Sequence, residues 1–229
     1  MTSPGAQGTA FDPSRLPKPA PDELAGRVAI VTGAGRGMGR AAAERLSAAG
    51  ASVVVNDLST EAARAAAAAL RDTGGKAIAI GGDVTSASDV SAMVERAVSE
   101  FGSVHVLINN AGYHERGHVE TVAAEDLGRM IDVNLKAPIM LCRLAIPYMR
   151  NAVGGAAIIN VASLAGRVPV RGAALIQRAS LVCAHLRSRW PKNCAIRISS
   201  WQSCRRGPSI PASSWRISMR WKTLRFRNR

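Results

Sequence analysis

Short apolar runs alternate with longer helix-forming segments along most of the chain. Runs of four to six mostly apolar residues predict strands at residues 28–31, 52–55, 77–80, 104–108 and 156–161. Helical periodicity or alanine-rich composition predicts helices at residues 39–50, 60–73, 88–101 and 127–150. Strands that are apolar throughout are buried on both faces, and strands that alternate with helices form βαβ units. The pattern therefore predicts an α/β domain built on a parallel sheet.

Both ends of the chain differ from this central domain. Residues 1–22 are polar and rich in proline, without the basic start and apolar centre of a signal peptide, so we expect a flexible leader. No run of 18 apolar residues is present, which argues against a membrane span and favours a cytoplasmic protein. Residues 23–170 are the expected folded domain, and residues 171–229 are expected to be a disordered tail.

The net charge of the chain comes from this tail. Residues 171–229 hold 14 of the 30 Lys and Arg residues, all four Trp residues and none of the 16 Asp and Glu residues. Clustered cations and indoles suggest binding to nucleic acid. However, the segment has no helical or strand periodicity, and Pro191, Pro208 and Pro211 interrupt it. We therefore expect non-specific adsorption at most, with nucleic-acid binding kept as the less favoured alternative.

A glycine-rich turn joins the first predicted strand to the first predicted helix. Glycines permit a tight turn and let backbone N–H groups approach a pyrophosphate at the positive end of a helix. The spacing from Thr32 is TGxxxGxG rather than GxGxxG. The candidate cofactor-binding residues in this turn are Gly33, Arg36, Gly37, Met38 and Gly39.

The second predicted strand is followed by a carboxylate that bears on the choice of cofactor. Asp57 can accept hydrogen bonds from the ribose hydroxyls of adenosine and repel a 2′-phosphate, which favours NAD. Arg36 in the glycine turn leaves NADP open, because it resembles a residue that is seen in relatives that prefer NADP. We expect NAD, with NADP as the alternative.

The TGxxxGxG turn resembles that of the short-chain dehydrogenase/reductase family, and further motifs of that family follow in order. Asp83 and Val84 resemble the pair that flanks the adenine. Asn110, Ala111 and Gly112 belong to a stretch that is similar to the family's NNAG motif, which supports the sheet beside the cofactor.

Two candidate catalytic residues also come from this resemblance. Asn134 matches an asparagine that holds a proton-relay water, and Ser163 matches a serine that hydrogen-bonds the substrate oxygen. The resemblance implies a Rossmann-type doubly wound parallel sheet of strand order 3-2-1-4-5-6-7. It also implies hydride transfer between NAD(P) and a small alcohol or carbonyl substrate, and assembly of intact relatives into homo-oligomers.

The tyrosine and lysine that the resemblance requires are missing. In relatives, the tyrosine commonly lies 13 residues after the serine and the lysine four residues further on, but Ile176 and Ser180 stand at these positions. No tyrosine in the chain is followed by a lysine four residues later. We expect the chain to be an inactive dehydrogenase, and the alternative is a non-catalytic module that still binds a dinucleotide.

We interpret the loss as the result of a shift of reading frame. Leu175 to Ser180 can be encoded by codons that, read from one nucleotide before codon 176, give Tyr-Ser-Ala-Ser-Lys. A one-nucleotide deletion upstream of codon 176 produces this chain. The sheet is then expected to be incomplete after its fifth strand, with the outer edge of that strand unpaired.

One motif suggests a metal instead. His114, Glu115 and His118 fit HExxH, the helical motif of zinc proteases. The motif here contains Gly117, follows a strand end and has no obvious third ligand, so we expect a loop and no metal site.

Overall fold

The computed structural model describes residues 19–115 and 120–163, together with the backbone of residues 194–201. Its strands are β1 (Val28–Val31), β2 (Ser52–Asp57), β3 (Ala77–Gly81), β4 (Val106–Asn109), β5 (Ala156–Ser163) and β6 (Cys194–Trp201). Its α-helices are α1 (Gly37–Ala48), α2 (Thr60–Asp72), α3 (Ala87–Phe101), α4 (Ala124–Ile131) and α5 (Ala137–Arg150). A π-helical turn, Asp132–Lys136, connects α4 to α5.

The six strands form one parallel sheet in the order β3-β2-β1-β4-β5-β6. The predicted α/β architecture with a parallel sheet is confirmed, and it is of the Rossmann type. The chain moves outward in one direction from β1 to β3 and then returns to place β4 on the other side of β1. Such a reversal opens a crevice at the carboxyl ends of the central strands, where ligands of this architecture bind.

Each central strand buries both of its faces. Ala29 and Val31 pack in a cluster that also includes residues of α1 and α2, whereas Ile30 packs with residues of α3 and α5 on the opposite face. All four residues of β1 are buried, and so are those of β4. This two-sided burial explains why the strands have apolar runs instead of alternating polar and apolar residues.

The prediction that residues 127–150 are largely helical is confirmed, and the structure divides the segment Ala124–Arg150 into two α-helices joined by a π-helical turn. Pro138 lacks an N–H group and cannot bond to the carbonyl of Asn134, four residues earlier. Just before it, the Ala137 N–H reaches the carbonyl of Asp132, five residues back. A proline at this position favours the local change from α to π geometry.

The outer edge of β5 differs from the prediction that it is unpaired. The outer edge of β5 is paired: β6 adds to it in parallel, with a register that runs from Ala156 opposite Cys194 to Ser163 opposite Trp201. The segment Cys194–Trp201 includes the β-branched residues Ile196 and Ile198, and the unpaired backbone groups of an edge strand readily accept another strand. The expected lack of strand structure after residue 171 is therefore wrong for these eight residues.

Several sequence-based expectations lie outside the described residues. They concern residues 1–18 of the leader, Ile176, Ser180 and the tail apart from its strand. Within the described part, no helix has both the length and the apolar character needed to cross a membrane.

Candidate functional site

A cleft of about 840 Å³ lies at the carboxyl ends of the central strands. The structure brings nearly all the sequence-predicted site residues to its walls: Gly33, Arg36, Gly37, Met38, Asp57, Asp83, Val84, Asn110, Ala111, Gly112, Asn134 and Ser163. Gly39 is the exception, since it is not among the lining residues. The segments that follow β1 to β4 and the last residues of β5 therefore build a single site.

The glycine turn needs its glycines for two separate reasons. Gly33 and Gly37 both have φ of +60°, a conformation that side chains with a Cβ rarely adopt. Gly39 instead allows α1 to approach the turn, because a Cβ there would overlap the Gly33 carbonyl oxygen. Gly39 thus supports the turn from the side away from the cleft, and the residues before Gly39 form the surface that faces the cleft.

The N-terminus of α1 differs from those of the next two helices. Ser59 caps α2 and Ser86 caps α3, each by accepting a hydrogen bond from a backbone N–H of the first turn. No side chain caps α1, and its first turn has no acidic residue. The first N–H groups of a helix have no partner inside it and carry a partial positive charge. Because Gly37 and Met38 line the cleft, these donors fit an anionic group such as a pyrophosphate.

Asp57 holds a fixed carboxylate at the end of β2. Its Oδ2 accepts the Gly35 N–H at 2.9 Å, and its Oδ1 accepts the Ser59 N–H at 3.1 Å. Asn56 supports this position from inside the sheet, because its Nδ2 donates to the carbonyls of Ile80 and Gly82, both at 3.2 Å. The carboxylate keeps further acceptor capacity, which suits the hydroxyls of a ribose better than a 2′-phosphate.

The segment after β4 is tied to the glycine turn by a compact set of hydrogen bonds. Asn110 Nδ2 donates to the carbonyls of Thr32 (2.9 Å) and Gly33 (3.1 Å). In return, Thr32 Oγ1 accepts the N–H groups of Asn110 and Ala111, each at 3.0 Å. These bonds fix the spacing between the two central strand ends, so the floor of the cleft is built before any ligand enters.

Both polar atoms of the Asn134 side chain form hydrogen bonds with the backbone of one residue, Tyr113. Its Oδ1 accepts the Tyr113 N–H at 3.0 Å, and its Nδ2 donates to the Tyr113 carbonyl at 2.6 Å. Asn134 lies in the π-helical turn, so this pair links that turn to the segment after β4. The side chain of Asn134 therefore has a structural partner, in addition to its place on the cleft wall.

Tyr113 itself is a cleft residue that the sequence reasoning missed. Its hydroxyl donates to Asp126 Oδ1 at 2.6 Å, and the Arg129 guanidinium lies 4.6 Å from its ring centroid. The hydrogen bond to Asp126 is the main cause of a raised pKa for Tyr113, because it stabilises the protonated phenol. In the sequence, only its position directly after the Asn-Asn-Ala-Gly stretch indicates that Tyr113 lies at the cleft.

Ser163 ends β5 and lies on the cleft wall. The same strand carries Asn160, whose Oδ1 accepts from the buried Asn109 Nδ2 at 2.7 Å. This buried amide pair joins β4 to β5 just below the cleft. The serine is thus held at the carboxyl edge of a well-anchored strand.

The metal hypothesis involves only partly described residues. His114 and Glu115 are described, whereas His118 lies outside the described residues. Within residues 19–115 and 120–163, no three His, Cys, Asp or Glu side chains gather closely enough to hold a metal ion.

Comparison with known proteins identifies the relatives of the chain. Residues 27–175 match a family described as short chain dehydrogenase. Three relatives illustrate the match. An uncharacterized oxidoreductase of Thermotoga maritima is 37% identical, over 63% of this chain and 57% of its own. Short-chain reductase protein NovJ of Streptomyces niveus is 44% identical, over 61% and 53%. A cyclohexanol dehydrogenase of an Acinetobacter species is 40% identical, over 63% and 58%. The matched part therefore spans little more than half the length of these relatives.

Proposed function

The chain belongs to the short-chain dehydrogenase family, and from this we propose that its cleft binds NAD while the chain as written does not catalyse hydride transfer. The complete protein would be an oxidoreductase that acts on a small alcohol or carbonyl compound. Residues 23–170 form its NAD(P)-binding domain in this proposal, and the basic segment 171–229 contributes no family chemistry.

One observation carries the binding proposal: the uncapped N-terminus of α1 and the fixed Asp57 carboxylate line the same cleft. The first supplies N–H donors for a pyrophosphate, and the second supplies acceptors for a ribose. A 2′-phosphate would bring a second negative charge beside Asp57, which favours NAD over NADP. Arg36 also lines the cleft and keeps NADP as the alternative.

Bound NAD would supply the acceptor for a hydride, and the residues of this chain would handle the substrate and its proton. We assign Ser163 the hydrogen bond to the substrate oxygen, because it lies at the carboxyl edge of β5 on the cleft wall. We assign Asn134 the support of the proton path at the π-helical turn. Asp83, Val84 and the Asn110–Gly112 segment would complete the cofactor walls.

Among the described residues, Tyr113 is the only tyrosine that lines the cleft, and it does not replace the missing one. A tyrosine that exchanges a proton with the substrate at neutral pH needs a lowered pKa, usually through a nearby cation. Tyr113 lies in the cleft, but its hydrogen bond to Asp126 raises its pKa. The residue four positions after Tyr113 is Gly117, so no lysine follows at the required spacing. Tyr113 therefore lacks both properties.

The position of the family match supports a frame break as the cause. The match ends at residue 175, one residue before Ile176, where the catalytic tyrosine is expected. A one-nucleotide deletion just upstream would preserve the cofactor half of the domain and replace everything after it. Sequencing the gene tests this directly: an intact reading frame in which codon 176 encodes isoleucine would refute the frame break.

Titration of NADH fluorescence with the full chain tests the binding proposal. We expect saturable binding to NADH and weaker binding to NADPH. A parallel assay with NAD and cyclohexanol should give no turnover. Absence of saturable NADH binding would leave an inactive remnant without cofactor affinity, and turnover of any alcohol would refute the loss of catalysis.

A further inference from the structure

Asp89, in the first turn of α3, does not line the cleft. It binds a loop that forms one wall of the cleft. Its Oδ2 accepts the Asp83 N–H at 2.9 Å, and its Oδ1 accepts the Ser86 hydroxyl at 2.9 Å. The Asp89 N–H in turn donates to Ser86 Oγ at 3.3 Å. One carboxylate thus joins the start of the helix to both ends of the loop that precedes it.

The backbone around Gly82 makes room for this carboxylate. A Cβ at Gly82 would lie 3.2 Å from Asp89 Cβ and 3.3 Å from its Oδ2, which is tighter than ordinary contacts. A side chain there would press against Asp89 and move it or the loop. The glycine therefore permits the close approach of Asp89 to the Asp83 N–H.

The loop is also held from its other side, by β2. Asn56 Nδ2 donates to the Gly82 carbonyl at 3.2 Å, and the Gly82 N–H donates to the Asp57 carbonyl at 3.1 Å. These contacts fix Gly82, which directly follows β3, but not the residues after Gly82. Beyond Gly82, the Asp83 N–H has its acceptor on Asp89.

The residues positioned in this way face the cleft. Asp83 and Thr85 line it, and Val84 presents a buried side chain at the same wall. Asp83 Oδ1 accepts both the N–H and the hydroxyl of Thr85 at 2.8 Å, so the orientation of its carboxylate follows that of its own backbone. A change in the Asp83 N–H position would therefore change the whole wall.

We propose that Asp89 is a positioning residue for the adenosine half of the dinucleotide, acting through the Asp83 N–H on the loop Asp83–Thr85. This role rests on the proposed NAD binding, because the loop must contact adenosine for its position to affect affinity. The hydrogen bond from the Asp83 backbone, followed by that from Ser86, lowers the pKa of Asp89. The carboxylate is therefore charged at neutral pH, where its hydrogen bonds are of the stronger, charge-assisted kind.

The test compares Asp89 variants of the full chain with a matched control on the same helix. Glu95 is also an α3 carboxylate, and its Oε1 accepts a hydrogen bond from the Ser91 hydroxyl at 2.8 Å, away from the loop. We expect Asp89→Ala to weaken NADH binding about tenfold, as for loss of a hydrogen bond to a charged group. Asp89→Asn keeps an acceptor oxygen and should lose less, and Glu95→Gln should bind as the parent chain does.

Two half-ligands separate positioning from general loss of structure. Competition by AMP should weaken in Asp89→Ala, whereas competition by reduced nicotinamide mononucleotide, which has no adenosine, should not change. Equal weakening of both half-ligands, or unchanged NADH affinity in Asp89→Ala, would overturn this role alone. Failure of the parent chain to bind NADH would overturn the proposed function and this role together.

Discussion

Gly35 donates its backbone N–H to Asp57 Oδ2 at 2.9 Å, so the glycine turn and the end of β2 hold each other in place. No side chain fits between them, because a Cβ at Gly35 would lie 2.8 Å from that oxygen and 2.7 Å from Ala62 Cβ. The contact means that the carboxylate is already oriented when a dinucleotide arrives. In the proposed function, a preference for NAD over NADP would therefore rest on a preorganised charge.

Removing that charge should change which dinucleotide is preferred. We expect Asp57→Ser to reduce the preference for NADH over NADPH by about tenfold, since one like charge beside the 2′-phosphate is lost. Fluorescence titration with both dinucleotides measures the ratio. Asp72→Ser, at the exposed end of α2 and away from the cleft, is the control and should leave the ratio unchanged. An unchanged ratio in Asp57→Ser would show that another group sets the preference.

Arg27 should stabilise the domain by anchoring the turn before β5. Its guanidinium donates to the carbonyls of Val153 (2.6 Å), Gly154 (2.9 Å) and Gly155 (3.1 Å). Because two of these bonds are exposed to solvent, we expect Arg27→Met to lower the free energy of unfolding by only about 1–2 kcal/mol.

Urea denaturation followed by far-UV circular dichroism measures the effect of Arg27, because this signal follows the helices and strands of the domain that Arg27 stabilises. The control is Arg64→Met, which removes the same charge from an exposed position on α2. Equal losses in the two variants would mean that overall charge, and not the carbonyl contacts, is responsible.

His105 should make stability depend on pH. Its buried Nδ1 accepts the Val28 N–H at 3.1 Å, and burial, followed by the charge of Arg27, lowers its pKa from the ordinary 6.5. The folded state therefore binds fewer protons than the unfolded state just below pH 6.5. Its contribution to stability is present above that pH and is lost as the pH falls through the lower, folded-state pKa.

Denaturation of the parent chain and of His105→Asn between pH 8 and pH 5 tests the histidine. The asparagine does not titrate and keeps an oxygen that can accept from Val28. The stability of the parent should fall more steeply with acid than that of the variant. The other three histidines are common to both proteins and cancel in the difference. Parallel curves would exclude His105 as the source.

Restoring the reading frame should restore catalysis. Inserting one nucleotide upstream of codon 176 is expected to return a tyrosine and a lysine at the family spacing after Ser163, and with them alcohol oxidation by NAD. General acid–base groups typically contribute about 10²–10⁴ in rate. The control is the double variant Ile176→Tyr and Ser180→Lys in the original frame, which should stay inactive because the rest of the helix is not restored. An inactive repaired chain that still folds and binds NADH would contradict the frame hypothesis.

The strands and the cofactor walls could be predicted because local sequence determines them. Apolar runs marked β1 and β2, and the residue that ends β2 had to lie at the carboxyl edge, where Asp57 is found. The pairing of Tyr113 with Asn134 could not be predicted in the same way. It joins segments 21 residues apart and depends on the π-helical turn that precedes Pro138. Strand β6 was missed because only Ile196 and Ile198 mark it, within a segment whose composition indicates no fold.

The pairing of β6 with β5 has a consequence for the fate of the chain in a cell. The eight register pairs between Ala156–Ser163 and Cys194–Trp201 are of the main-chain kind, which does not require particular side chains. An uncovered strand edge recruits strands from other molecules and begins aggregation. Because β6 is the outermost of the strands that the structure describes, a strand from another copy would have to pair with β6 and not with β5.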